Sequence, residues 1–201
     1  MPHVDAATAM FLSTGGVTTG LITVGLVLAP QIVAQGRLQG SFEFDRTLPV
    51  PPLAALAADV TPWIAGSMPG IALSLLAAAA RFHLAFRVSL LTVLAVLLVT
   101  TTATAIGYGL AHCLPPTMVS LVTQLLVVFT LMFSPVDFPA SRLPAWLQAI
   151  HTVLPIQYMA QAIRSALSES THGAIATPFA ILAAWCLAGL VLSYQAMTRR
   201  V

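Results

Sequence analysis

"FSPVDFPASRLPAWLQAIHTVLPIQY", residues 133–158, is where an almost unbroken run of hydrocarbon side chains interrupts itself. Four prolines, an aspartate, an arginine and a tryptophan stand in a stretch that could have continued as a membrane helix. Pro139 and Pro144 end the preceding helix and open a new one, because proline is tolerated in a first helical turn. Leu143, Leu147, Ile150 and Leu154 then recur at helical spacing, with Arg142, Gln148 and His151 away from that stripe, and Pro155 stops the pattern. A second pattern follows, with Ile156, Met159 or Ala160, Ile163 and Leu167 on one side and Gln157, Gln161, Arg164 and Ser168 on the other. Each helix holds about ten residues, half of what a crossing needs. Trp146 and Tyr158 suit the headgroup zone, where a ring is buried and its polar atom stays wet. The segment predicts two short amphipathic helices over 139–168, dipping partly inward where protein or a watery cavity covers their backbone.

The flanking sequence says what these helices interrupt. The chain has 201 residues, 58% hydrophobic and 7% charged, with mean hydropathy +0.93. A soluble domain carries about 25% charged residues. Apolar runs predict five crossings, at about 10–34, 56–80, 88–111, 117–134 and 174–196. Residues 88–136 hold no Asp, Glu, Lys or Arg. At about 1.5 Å per residue that length covers two crossings of a core about 30 Å thick. "HCLPP" (112–116) supplies the turn between them, while Pro30 marks the end of the first span. The fold expected is all-α, a single polytopic transmembrane domain over 1–201.

The charges exclude several classes. The net charge of +2 comes from eight arginines and no lysine against six acids, without the basic block of a nucleic-acid surface. Abundant alanine without lysine points to a GC-rich genome. Cys113 and Cys186 are isolated, and no Cys/His cluster suggests metal or redox chemistry. Arginine counts near the span ends tie, with Arg37, Arg46, Arg199 and Arg200 against Arg81, Arg87, Arg142 and Arg164, so charge does not orient the chain. Gly16–Gly20 and Gly66–Gly70 have the G-x-x-x-G spacing that permits close helix approach. The threonines of 100–104 either face a polar path or bond back to carbonyls one turn earlier.

The late segment resembles the signature of ABC-2 type transporter permeases, the transmembrane subunits of bacterial drug, lipid and antibiotic exporters. The residues that carry the resemblance are Phe133, Ser134, Val136, Phe138, Pro139, Leu143, Pro144, Trp146, Leu147, Pro155, Tyr158 and Arg164. The sequence departs from the pattern at Pro135, Asp137, Leu154 and Gln161. The polar stretch 35–52 is similar to the family's coupling segment, matched by Gly40, Ser41, Glu43 and Pro49, with Arg37 just upstream and Arg46 beside them. Leu38, Phe44, Asp45 and Leu48 depart from it. The resemblance implies that 35–52 is a cytoplasmic coupling helix docking on an ABC ATPase, and that 139–168 lies outside. It also implies a homodimer or a heterodimer with a second permease, in contact with membrane lipid, in the cytoplasmic (inner) membrane of a bacterium. The resemblance implies six spans where five are read here: either the first helix is absent, the sequence starts internally, or residues 1–16 hold something other than what is read.

The sequence contains no G-x-x-x-x-G-K-[ST], so it offers no such cradle for ATP phosphates. No cofactor is expected on this chain; ATP and Mg²⁺ belong to the partner ATPase. The function expected is export of a hydrophobic or amphipathic compound, with no nucleic acid as partner. Two other classes compete. An intramembrane enzyme could use His83, His112 or His151 as a base, though no G-x-S-x-G or H-E-x-x-H accompanies them. A small ATP-independent channel or carrier needs buried ionisable groups along a path.

Overall fold

The computed structural model of the chain describes residues 6–40, 52–82, 86, 89–136, 143–167 and 176–198. All regular structure among them is helical. Among the described residues five helices are long and apolar enough to cross a membrane: Thr8–Leu38, Val60–Phe82, Leu90–Cys113, Pro116–Phe133 and Ala176–Gln195. The chain is an all-α polytopic membrane protein.

The first span is one continuous rod made of α1 (Ala6–Thr23), a π turn (Val24–Leu28) and α2 (Ala29–Leu38). It does not stop at Pro30, where the sequence suggests an end. A proline inside a helix removes an amide and presses its ring against the carbonyl four residues back, here that of Leu26. The wider turn at Val24–Leu28 makes room for the ring, and the helix resumes with Pro30 in its first turn. Residues 35–38, read as the start of a loop, are therefore the last turn of this rod.

The second span lies in α3 (Pro52–Phe82), which carries Pro62 and Pro69 within it. The third is α4 (Leu90–Cys113), opened by a reciprocal cap in which Ser89 and Thr92 each bond the other's backbone amide. Extended backbone at Leu114 and Pro115 separates α4 from α5 (Pro116–Phe133), so the Leu-Pro-Pro turn falls where the sequence puts it. The two short helices are α6 (Ala145–His151) and α7 (Pro155–Leu167), and α8 (Ala176–Thr198) is the last span.

Hydroxyls inside the spans are mostly satisfied by their own helix. Thr18 Oγ1 donates to the Thr14 carbonyl at 2.8 Å and Thr23 Oγ1 to that of Thr19 at 2.8 Å. Thr100, Thr101 and Thr102 do the same to Val96, Leu97 and Leu98, at 2.8, 2.7 and 2.6 Å. These three threonines thus close on the backbone instead of lining a polar path.

The centre of the bundle is α4. The first rod, α7 and α8 surround it, and their apolar residues form one core with Leu21, Val99, Ala103, Met159, Ile163 and Leu182 fully buried. Close approach of α8 rests on Gly189, where an added Cβ would stand 3.0 Å from Ala105 Cβ, and on Ser193 Oγ donating to the Ala105 carbonyl at 2.9 Å. By contrast α3 and α5 lie at the edge.

Candidate functional site

Two clusters at opposite ends of the bundle hold described residues that the sequence singles out. At one end the first rod finishes at Leu38, Gln39 closes the last turn, and Gly40 takes φ +77°. That left-handed conformation just past a helix end favours glycine, which explains Gly40 locally. Arg37, in the last turn, reaches across to α4. Its Nη1 donates to the carbonyls of Ala111 at 2.5 Å and Leu114 at 3.2 Å. These are carbonyls at the C-terminal end of α4, which its own helix leaves without amide partners, and the cation meets the negative end of the helix dipole. Arg37 therefore ties the first span to the third. Ser41, Glu43, Arg46 and Pro49 lie outside the described residues.

A further contact reinforces this end. Gln31 Nε2 donates to Thr123 Oγ1 at 3.0 Å, joining the first rod to α5. His112 is buried with its Nδ1 2.8 Å from the Tyr108 carbonyl. A carbonyl only accepts, so Nδ1 carries the proton there.

At the other end the chain turns out of α5 at Phe133–Val136 and is met by both short helices. His151 Nε2 donates to the Phe133 carbonyl at 2.8 Å. Ser134 and Val136 are fully buried. Arg164 donates to the carbonyls of Val136 and Pro135, and its guanidinium lies 3.6 Å from the centroid of the Phe11 ring on α1. One arginine thus joins the exit of α5, the short helix α7 and the N-terminal part of the first rod. Thr92, at the start of α4, donates to the Ala166 carbonyl at 3.0 Å and fixes the far end of α7.

The remaining motif residues hold the two short helices in shape. Pro144 precedes α6, and its carbonyl accepts from the amides of Leu147 and Gln148, both at 3.0 Å. Pro155 opens α7. Tyr158 OH donates to the Thr152 carbonyl at 2.7 Å, closing the link between the two helices. Trp146 points outward, 64% exposed, as a ring at a membrane surface does. Phe133 packs on Phe129 with the rings tilted by 35° and their centroids 5.2 Å apart. Phe138 and Pro139, like Asp137 and Arg142, lie outside the described residues.

The apolar stripe expected on α7 is the buried one, with Ile156, Met159, Ala160, Ile163 and Leu167 all enclosed. On α6 the expectation is only half met: Leu143 and Leu147 are buried, Ile150 is exposed, and His151, assigned to the polar side, is buried. The Phe133 carbonyl supplies the reason, because a buried imidazole with a partner is tolerated. Phe11, Gln31 and Thr123 carried no sequence signal, since their partners lie on other helices.

His112 and His151 each bond a backbone carbonyl of the fold through one ring nitrogen. His83 lies outside the described residues. Among the described residues no three His, Cys, Asp or Glu side chains are grouped to hold a metal ion. Two cavities flank α3. One of about 630 Å³ lies between α3 and α4, lined by Ile71, Leu75, Ala79, Phe86, Val93 and Val96 among others. The other, about 300 Å³, lies between α3 and α1.

Residues 3–168 of the chain match the family described as ABC-2 type transporter. No curated protein and no solved structure matches it.

Proposed function

The chain belongs to the ABC-2 type transporter family, and on that premise we propose that it is the membrane-spanning subunit of an ATP-driven exporter. Its cargo is a hydrophobic or amphipathic compound, a drug, antibiotic or lipid. The spans favour such cargo because the third and fourth carry no Asp, Glu, Lys or Arg to bind a polar polymer. ATP and Mg²⁺ are held by a separate cytoplasmic ATPase, and two permease copies, identical or related, form the path. The exporter resides in the cytoplasmic membrane of a bacterium, with residues 35–52 facing the ATPase and residues 139–168 outside.

The observation that carries this reading is the division of labour along the first rod. Its Arg37 end adjoins the segment that the family resemblance assigns to ATPase coupling. Its Phe11 end meets the short helices at the opposite end. ATP-driven approach of two ATPase subunits displaces the coupling segment, and spans of the two permease copies change their tilt. The short helices, packed among the spans, cap the outer end of the path until that change reaches them.

The test is purification of the tagged full chain from its native membranes, with its partners identified by mass spectrometry. A P-loop ATPase should co-purify, and inside-out vesicles containing both should accumulate rhodamine 6G or a fluorescent phospholipid only with ATP. The reading is lost if no such ATPase accompanies the chain.

A further inference from the structure

The second span touches the first and third but is the least enclosed of the five. In its most apolar window 6% of residues are buried, against 56% in the first and third spans. The two cavities described above lie on two of its sides, and Ile71 lines both. Close packing holds a helix in one position; open volume on two sides leaves it free to occupy another.

The first span has the opposite character. It is fixed at three levels: Phe11 by Arg164 on α7, Gly25 by the backbone of α4 at Ala103 and Thr104, and Arg37 by the end of α4. These two spans are the ends of one chain segment, residues 39–51. Any displacement of that segment pulls against a first span anchored at Arg37 and against a second span that is little enclosed from Val60 onward. The displacement is therefore delivered to the second span.

We infer that α3 is the moving span of this permease, and that it moves by closing onto α1 across the smaller cavity. The walls of that cavity suit such a closure. They carry Gly16 and Gly20 on α1 and Gly66 and Gly70 on α3. A Cβ added at any of these four meets no atom within 4 Å, whereas at Gly25 or Gly107 it overlaps the neighbouring helix. Glycine inside a helix weakens it relative to alanine. At Gly25 and Gly107 that weakness is offset by contact. At the other four it is offset only when the two helices draw together. Pro62 and Pro69 supply the compliance, since each deprives a carbonyl one turn earlier of its amide partner and so allows the helix to bend. As α3 closes on α1, the larger cavity on its α4 side opens further toward the membrane.

What the movement serves rests on the exporter reading above; the movement itself is a property of the chain alone. It is tested on the full chain in lipid nanodiscs, with Cys113→Ser and Cys186→Ser removing the native thiols. Spin labels are placed at Leu12→Cys and Leu73→Cys, both exposed, and their separation is measured by pulsed electron resonance. Two distances are expected. Gly66→Leu with Gly70→Leu, whose side chains enter open space in the described arrangement, should leave only the longer one. Gly16→Leu with Gly20→Leu should do the same from the opposite wall, which guards against a folding defect in either pair. A single distance, unchanged by both pairs, overturns the inference. Two distances without ATP-dependent transport count against the exporter reading alone.

Discussion

The carbonyl oxygen of Gly25, in the π turn of the first span, lies so close against Gly107 of the third that a single added methyl would overlap it. The reverse also holds, since a Cβ on Gly25 would come within 2.7 Å of the Thr104 amide nitrogen. The two helices meet here backbone to backbone. Pro30 sits in the same contact, 3.1 Å from where a Gly107 Cβ would stand. The π turn that accommodates this proline is thus also the place where the first span touches the centre of the bundle.

Gly107→Ala is expected to destabilise the chain by about 1–3 kcal/mol, the usual cost of overpacking a filled site. Gly16→Ala and Gly66→Ala should be neutral or stabilising by about 0.4–1 kcal/mol, because their Cβ atoms enter open space and alanine restricts the unfolded chain. Thermal unfolding of the purified variants in one detergent compares them directly. Equal melting of Gly107→Ala and the parent chain would contradict the close contact.

This contrast also shows what the sequence can and cannot reveal. Gly16, Gly20, Gly66 and Gly70 draw attention by their spacing, which is a local property. Gly25 and Gly107 have no such spacing, and they matter because helices far apart in the chain cross at that point. The same division separates the two short helices. The stripe on α7 is legible because burial there follows the helical period, whereas His151 is buried for a carbonyl eighteen residues away. The membrane spans could be read from apolar length alone, but Pro30 could not be placed. The helix runs through Pro30 because a wider turn precedes it, and nothing in neighbouring residues announces that turn. Arg37 stood out as a coupling residue. Its bonds to Ala111 and Leu114 were invisible because they cross more than seventy residues.

Arg164 and Phe11 should prove energetically coupled. Arginine over an aromatic ring contributes about 0.5–2 kcal/mol depending on how dry the site is. The cycle of Arg164→Met, Phe11→Leu and the double variant isolates that contribution from the bonds Arg164 makes to Pro135 and Val136. A coupling energy in that range is expected from unfolding measurements. Strict additivity would mean that the ring and the guanidinium are merely neighbours.

His151→Gln should be tolerated better than His151→Leu. Glutamine retains a donor for the Phe133 carbonyl, while leucine leaves that carbonyl without its side-chain partner beside the buried Ser134. An orphaned buried acceptor costs about 1–3 kcal/mol. The readout is the melting temperature of each variant, with the leucine variant lowest. Should glutamine and leucine destabilise alike, the hydrogen bond is not what holds α6 to the end of α5.

Arg37 and the residues after it should separate when tested against the ATPase. If Arg37 fastens the first span to the third, Arg37→Ala loses charge-assisted bonds to two carbonyls, at a cost of about 1.5–3 kcal/mol. The chain melts earlier but still retains its ATPase. Arg37→Lys keeps the charge yet offers a compact ammonium in place of the planar fork, so it should restore only part of the loss. Glu43→Ala with Arg46→Ala, or deletion of 38–48, acts on the segment that the family resemblance assigns to coupling. These changes should reduce ATPase co-purification, strongly for the deletion, and spare the melting temperature for the point variants. The decisive comparison is co-purification of the ATPase with each variant from the same membranes. Retention of the ATPase by the deletion variant would remove the coupling role from 38–48. Loss of it in Arg37→Ala at temperatures where that chain remains folded would return Arg37 to the docking surface.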